Sequence, residues 1–110
     1  MAYDEELAGR IRDLLAEDRD VTEQKMFGGL GFMVGGNMAI AASGQGGAMV
    51  RVDPADSEKL VATTDAEMMV MRGRPMAGWL RVPSESVKSN AELKKWVRRG
   101  AGYARSLPPK

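Results

Sequence analysis

Neither cysteine nor histidine occurs in this 110-residue chain. The lack of cysteine excludes a disulfide framework, a thiolate nucleophile and any Cys-ligated metal. The lack of histidine removes the usual general base and the commonest metal ligand. Aromatic residues are also sparse, at 5%. The longest apolar stretch, Leu30 to Ala42, is broken by Gly35, Gly36 and Asn37, and falls short of the roughly 20 residues that a membrane helix needs. Asp4, Glu5 and Glu6 stand where a signal peptide would carry positive charge. The expectation is a cytoplasmic protein that is not an enzyme and uses no cofactor or metal.

Glycine is abundant, with 13 residues, and much of it punctuates the segment from Met26 to Val52. Short apolar runs there are separated by Gly35-Gly36-Asn37 and by Gly44-Gln45-Gly46-Gly47, as in strands joined by tight turns. The pattern predicts a three-stranded antiparallel meander. Period 2 puts Leu30, Phe32 and Val34 on one side of its first strand, and Met38, Ile40 and Ala42 on one side of its second. Gly31, Ala39 and Ala41 then form a thin opposite face. Ala48, Val50 and Val52 continue the bulky side.

Helices are expected before and after the meander. Asp4 caps an amphipathic helix over residues 4–18, with Leu7, Ile11, Leu14 and Leu15 on its buried stripe. Val21 to Phe27 is an added strand at an edge. Asp53-Pro54 opens a short helix ending near Ala62. Glu67 to Met71 reads as a strand apolar on both faces, hence one covered on both sides. Arg72-Gly73-Arg74-Pro75 turns the chain into a strand over Ala77 to Val82. Ser89 and Glu92 form a capping box for the last helix, whose buried stripe is Leu93, Trp96, Val97, Gly100, Ala104 and Leu107. The fold class is α+β: one domain over 1–110 with a single antiparallel sheet of five to six strands, in the order α-β-β-β-β-α-β-β-α.

The glycines do not form a phosphate loop. Val34 and Met49 occupy the positions where a G-x-G-x-x-G pattern needs its third glycine, and no Walker lysine follows. Phe27, Gly28, Gly29, Gly35 and Gly36 are read as turn residues. Met26-Phe27-Gly28-Gly29-Leu30-Gly31-Phe32-Met33-Val34-Gly35-Gly36-Asn37-Met38 resembles the signature of the N-terminal domain of the TfoX/Sxy competence-regulator family. The likeness continues through Val50-Arg51-Val52-Asp53, Met71-Arg72-Gly73-Arg74-Pro75-Met76, Gly78-Trp79 and Leu93-Lys94-Lys95-Trp96-Val97. It implies an α+β domain of a type also seen in secretion-chaperone-like folds. It also implies an intracellular role in transcriptional control of competence genes, exerted with other regulators such as the cyclic-AMP receptor protein. The competence regulators carry a further C-terminal domain, so the resemblance implies a stand-alone N-terminal domain here. The family offers no catalytic residue.

Two surfaces stand out for partners. Residues 1–55 hold 5 basic against 9 acidic side chains, a net of −4, while residues 56–110 hold 11 against 6, a net of +5. The basic half offers Arg72, Arg74, Arg81, Lys94, Lys95, Arg98 and Arg99 as contacts for a partner or for nucleic-acid phosphates. Arg72-Gly73-Arg74-Pro75 also matches an AT-hook core, although Met71 and Met76 flank it and favour a plain turn. The alternative to a nucleic-acid surface is a solvated face, or attraction between the two oppositely charged halves. The second surface is apolar: Met69, Met71 and Trp79 form a candidate subunit interface. The chain has nine methionines, which more often fill core gaps than line binding surfaces. The function expected is a non-enzymatic regulatory or interaction module, a homodimer that docks other regulatory proteins. Direct nucleic-acid binding is the alternative, and a small anionic ligand clamped by Arg51 or Arg81 in a Met/Trp pocket is a further one.

Overall fold

The computed structural model describes residues 3–26, 28–44 and 46–109. Its elements run α1 (Glu5–Leu14), β1 (Val21–Met26), β2 (Gly29–Val34), β3 (Asn37–Ala42), β4 (Ala48–Arg51), α2 (Ser57–Thr63), β5 (Glu67–Met71), β6 (Arg74–Val82) and α3 (Asn90–Ser106). Single helical turns at Pro54–Asp56 and Ser84–Val87 lead into α2 and towards α3. All six strands form one antiparallel sheet in the order β1-β2-β3-β4-β6-β5. The α+β class and element order read from the sequence hold.

Local chemistry accounts for the element boundaries. The Asp4 carboxylate accepts from the Leu7 amide, and the Ser89 hydroxyl from the Glu92 amide, so each helix start satisfies an otherwise orphaned donor. Asp53 likewise accepts from the Ala55 amide ahead of Pro54. Gly35 and Gly36 both have positive φ, 61° and 84°, closing β2 onto β3 through a two-residue turn whose twist suits a hairpin. Arg72 and Gly73 do the same between β5 and β6, with φ of 53° and 77°. Phe27 lies outside the described residues. Gly28 beside it has positive φ, and Gly29 opens β2 rather than lying in the turn.

One face of the sheet carries the core. Leu30, Phe32 and Val34 of β2, Ile40 and Ala42 of β3, Ala48 and Val50 of β4, and Leu80 and Val82 of β6 pack there with Leu7 and Ile11 of α1 and Leu93, Trp96 and Val97 of α3. Leu60 and Val61 of α2 lean on the same cluster. Gly100 lets α3 approach β3 closely, since a Cβ there would meet the Ala39 carbonyl.

Four expectations need correction. The register slips between Phe32/Met33, so that Phe32 faces Ile40 while Met33 faces Met38. This bulge turns Ala39 into the core cluster and leaves Met38 outside it, the reverse of strict alternation. Second, β5 is not covered on both sides; it is an outer strand, and its Val70 is 63% exposed. The sequence could not show that β6 would lie between β4 and β5. Third, the buried stripe of α3 includes Ala101 and stops at Ala104, because Leu107 falls past the helix end. The first helix also ends at Leu14, before residue 18.

Candidate functional site

Lys94, Lys95, Arg98 and Arg99 are brought together on the outer side of α3, all exposed. The (i, i+4) spacing of Lys94 with Arg98 and of Lys95 with Arg99 makes them helix-surface neighbours. Two have partners within the helix. Lys95 Nζ is 3.6 Å from Glu92, and the Arg99 guanidinium lies 4.5 Å from the Trp96 ring centroid. Arg72 and Arg74 are elsewhere, at the tip of the β5–β6 hairpin. Arg81 pairs with Met49 across β4. Its neighbours Leu80 and Val82 point into the core, so alternation sends Arg81 to the sheet face away from α3. The structure therefore divides the seven basic residues among three places rather than extending one patch.

Other charges are occupied in holding the fold together. Arg12 makes a two-pronged contact with Glu23, at 2.7 and 2.8 Å, joining α1 to β1. Arg105 reaches Asp18 at 3.0 Å and Asp20 at 3.3 Å, fastening the end of α3 to the α1–β1 connection. Arg10 donates to the Lys88 carbonyl and the Asn90 side chain, tying α1 to the start of α3. Hydrogen bonds from Arg12 hold the Glu23 carboxyl below the usual carboxylate range, and those from Arg105 do the same for Asp20. The contact of Arg105 with Asp18 and Asp20 is an attraction between the oppositely charged halves of the chain.

On the face opposite the helices, Gly31, Met33, Ala41 and Met49 follow from the strand register. Met33 and Met49 are half-buried. At the end of this surface, Arg51 pairs with Trp79 across β4 and β6. Its guanidinium carbon lies 5.0 Å from the Trp79 ring centroid and 5.6 Å from that of Tyr103, both within cation–π range. Trp79 is half-buried, as is Met69 on β5. The Met71 backbone ends β5 opposite Arg74 at the hairpin, whereas Trp79 lies further along β6 opposite Arg51.

A groove of about 500 Å³ runs between α1 and α3 past Arg10, Asp13, Leu14, Asn90, Ala91 and Lys94. Another, of about 180 Å³, is lined by Gly46, Asp65, Glu67, Arg81, Val82 and Pro83. The Arg81 groove carries two carboxylates and no methionine or tryptophan, which is poor chemistry for an anion clamp. Sequence reasoning missed the stacking of Arg51 between two rings, because Tyr103 belongs to a helix more than fifty residues further along. The alternation of Arg51 with Val50 and Val52 signalled only that it leaves the core. Among the described residues no group of carboxylates is assembled as a metal site, and no helix is long and apolar enough to cross a membrane.

No curated protein and no solved structure matches the chain. The family model for the TfoX N-terminal domain matches residues 13–104, which takes in every strand, α2 and all but the last turn of α3. This chain belongs to the TfoX N-terminal domain family.

Proposed function

We propose that this chain is a non-enzymatic regulatory module that acts in transcriptional control through protein–protein contacts, as a homodimer in the cytoplasm. The family match over residues 13–104 is the observation that carries it. The sequence supports the absence of catalysis, since it supplies neither histidine nor cysteine for general-base or thiolate chemistry. The helix-free sheet face supports docking: Met33 and Met49 offer adaptable, polarizable side chains beside the small residues Gly31 and Ala41. Trp79 and Arg51 at its end, with Tyr103 of α3 beside Arg51, are the residue types over-represented among binding hot spots. The separation of Arg72, Arg74 and Arg81 from the α3 cations speaks against a single phosphate-tracking groove.

The test is genetic, with a biochemical control. Deleting the gene is expected to change the transcript levels of a defined gene set. Wild-type protein restores them, and Met49→Glu does not, while its thermal midpoint stays close to wild type. Unchanged transcripts after deletion overturn the proposal. Retardation of duplex DNA by the purified chain alone, weakening steeply with salt, would replace docking with direct nucleic-acid binding.

A further inference from the structure

The two borders of the sheet differ in kind. β1 presents Thr22, Glu23, Gln24 and Lys25, all exposed, and Arg12 grips Glu23. Polar and charged side chains of this sort discourage an edge strand from pairing with another chain. β5, at the other border, reads Glu67-Met68-Met69-Val70-Met71. It contains no proline and no lysine, pairs on one side only, with β6, and exposes 63% of Val70. Charges flank it asymmetrically, with Asp65 and Glu67 at one end and Arg72 and Arg74 at the other, all exposed. Among the described residues none of these four takes part in an ion pair.

We infer that β5 is where two copies of this chain join, edge to edge and antiparallel about a two-fold axis. This deepens the homodimer proposed above and rests on it. Antiparallel pairing sets Asp65 and Glu67 of each copy towards Arg72 of the other, with Arg74 one strand further in, at both ends of the junction. Parallel pairing would instead set arginine against arginine, and like charges across a strand pair are unfavourable. A two-fold axis also makes one patch complementary to itself. Arg74 folds back into β6 opposite Met71, so the basic end of the edge sits level with Met71 and Arg72, and the centre between it and Asp65 and Glu67 falls at about Met69, where the axis passes. A five-residue junction buries less than the about 1,600 Å² of a standard interface, which makes the dimer concentration-dependent.

Because the chain has no native cysteine, a single introduced thiol reports on this junction cleanly. Residues directly opposed across an antiparallel pair have Cα atoms about 4.5–5.5 Å apart, within disulfide reach. Mild oxidation is expected to link Met69→Cys into a covalent dimer, and to leave Gln24→Cys on β1 monomeric. In sedimentation, the wild-type mass should rise from one chain towards two with concentration. Val70→Lys should raise the dissociation constant about tenfold or more, and at concentrations where both proteins are monomeric its thermal midpoint should match wild type, since Val70 is already exposed. A wild-type dimer that Val70→Lys leaves intact, or one linked through Gln24→Cys and not through β5, overturns the junction and leaves the homodimer standing. A monomer at every concentration overturns both.

Discussion

The crossing of α3 over β3 is close, backbone against backbone, and it can be tested with one methyl group. A Cβ added at Gly100 would overlap the Ala39 carbonyl oxygen, stand 2.9 Å from the carbonyl carbon and reach 3.4 Å from Val50 Cγ1. The obstacle is backbone in a strand paired on both sides, so no rotamer change relieves it. α3 must lift by about an ångström, loosening Leu93, Trp96, Val97, Ala101 and Ala104 together, and a gap of that size forfeits about a quarter to a half of each contact's attraction. Alanine recovers about 1 kcal/mol over glycine in helix propensity, while overpacking costs about 1–3 kcal/mol and sits at the top of that range when backbone is struck. Gly100→Ala should therefore lose about 2 kcal/mol. Gly102, two residues along, has nothing within 4 Å of an added Cβ, so Gly102→Ala should gain about 0.5–1 kcal/mol from propensity alone. Urea unfolding followed by circular dichroism separates the two, with the slope unchanged and the midpoints moving in opposite directions. A Gly100→Ala protein as stable as wild type would refute the close crossing.

Two further outcomes follow from polar groups. The Ser57 hydroxyl is buried and accepts from the Gly78 amide at 2.6 Å, so Ser57→Ala should leave a buried donor unsatisfied and cost about 1–3 kcal/mol in the same unfolding assay. Glu23 and Asp20 both have folded-state pKa values below the ordinary carboxylate range, through hydrogen bonds from Arg12 and Arg105 respectively. Their contribution is complete above the ordinary range, near pH 4, and is lost as pH falls through that range towards the lowered values. The urea midpoint should decline below about pH 4, and Glu23→Gln should flatten that decline. An unaltered acid limb in the variant would show that the contact with Arg12 contributes nothing measurable, as for many exposed pairs.

The elements were legible where a boundary depends on neighbouring residues. Gly35-Gly36 dictates a hairpin, Asp53-Pro54 a helix start, and Ser89 a cap, each through chemistry confined to a few positions. Relations between distant segments were not legible. Placing β6 between β4 and β5 requires no local signature, and this turned a strand expected to be covered into an outer one. The replacement of Met38 by Ala39 in the core cluster came from a register slip that sequence alternation does not record. The basic residues were all found, yet their distribution depends on strand order and on which side of the sheet α3 covers. Likewise, Arg105 resembles its neighbours on α3 in sequence, and only the return of the helix end to Asp18 and Asp20 gives it ion-pair partners.

The difference between the two outer strands bears on how large an assembly can grow. A flat ribbon open along both margins can recruit neighbours without limit and ends as a fibril. Here Glu23 and Lys25 fence one margin, so under the proposed β5 junction addition along the other margin would stop after a single event, and a concentrated pool of the protein would stay in small particles.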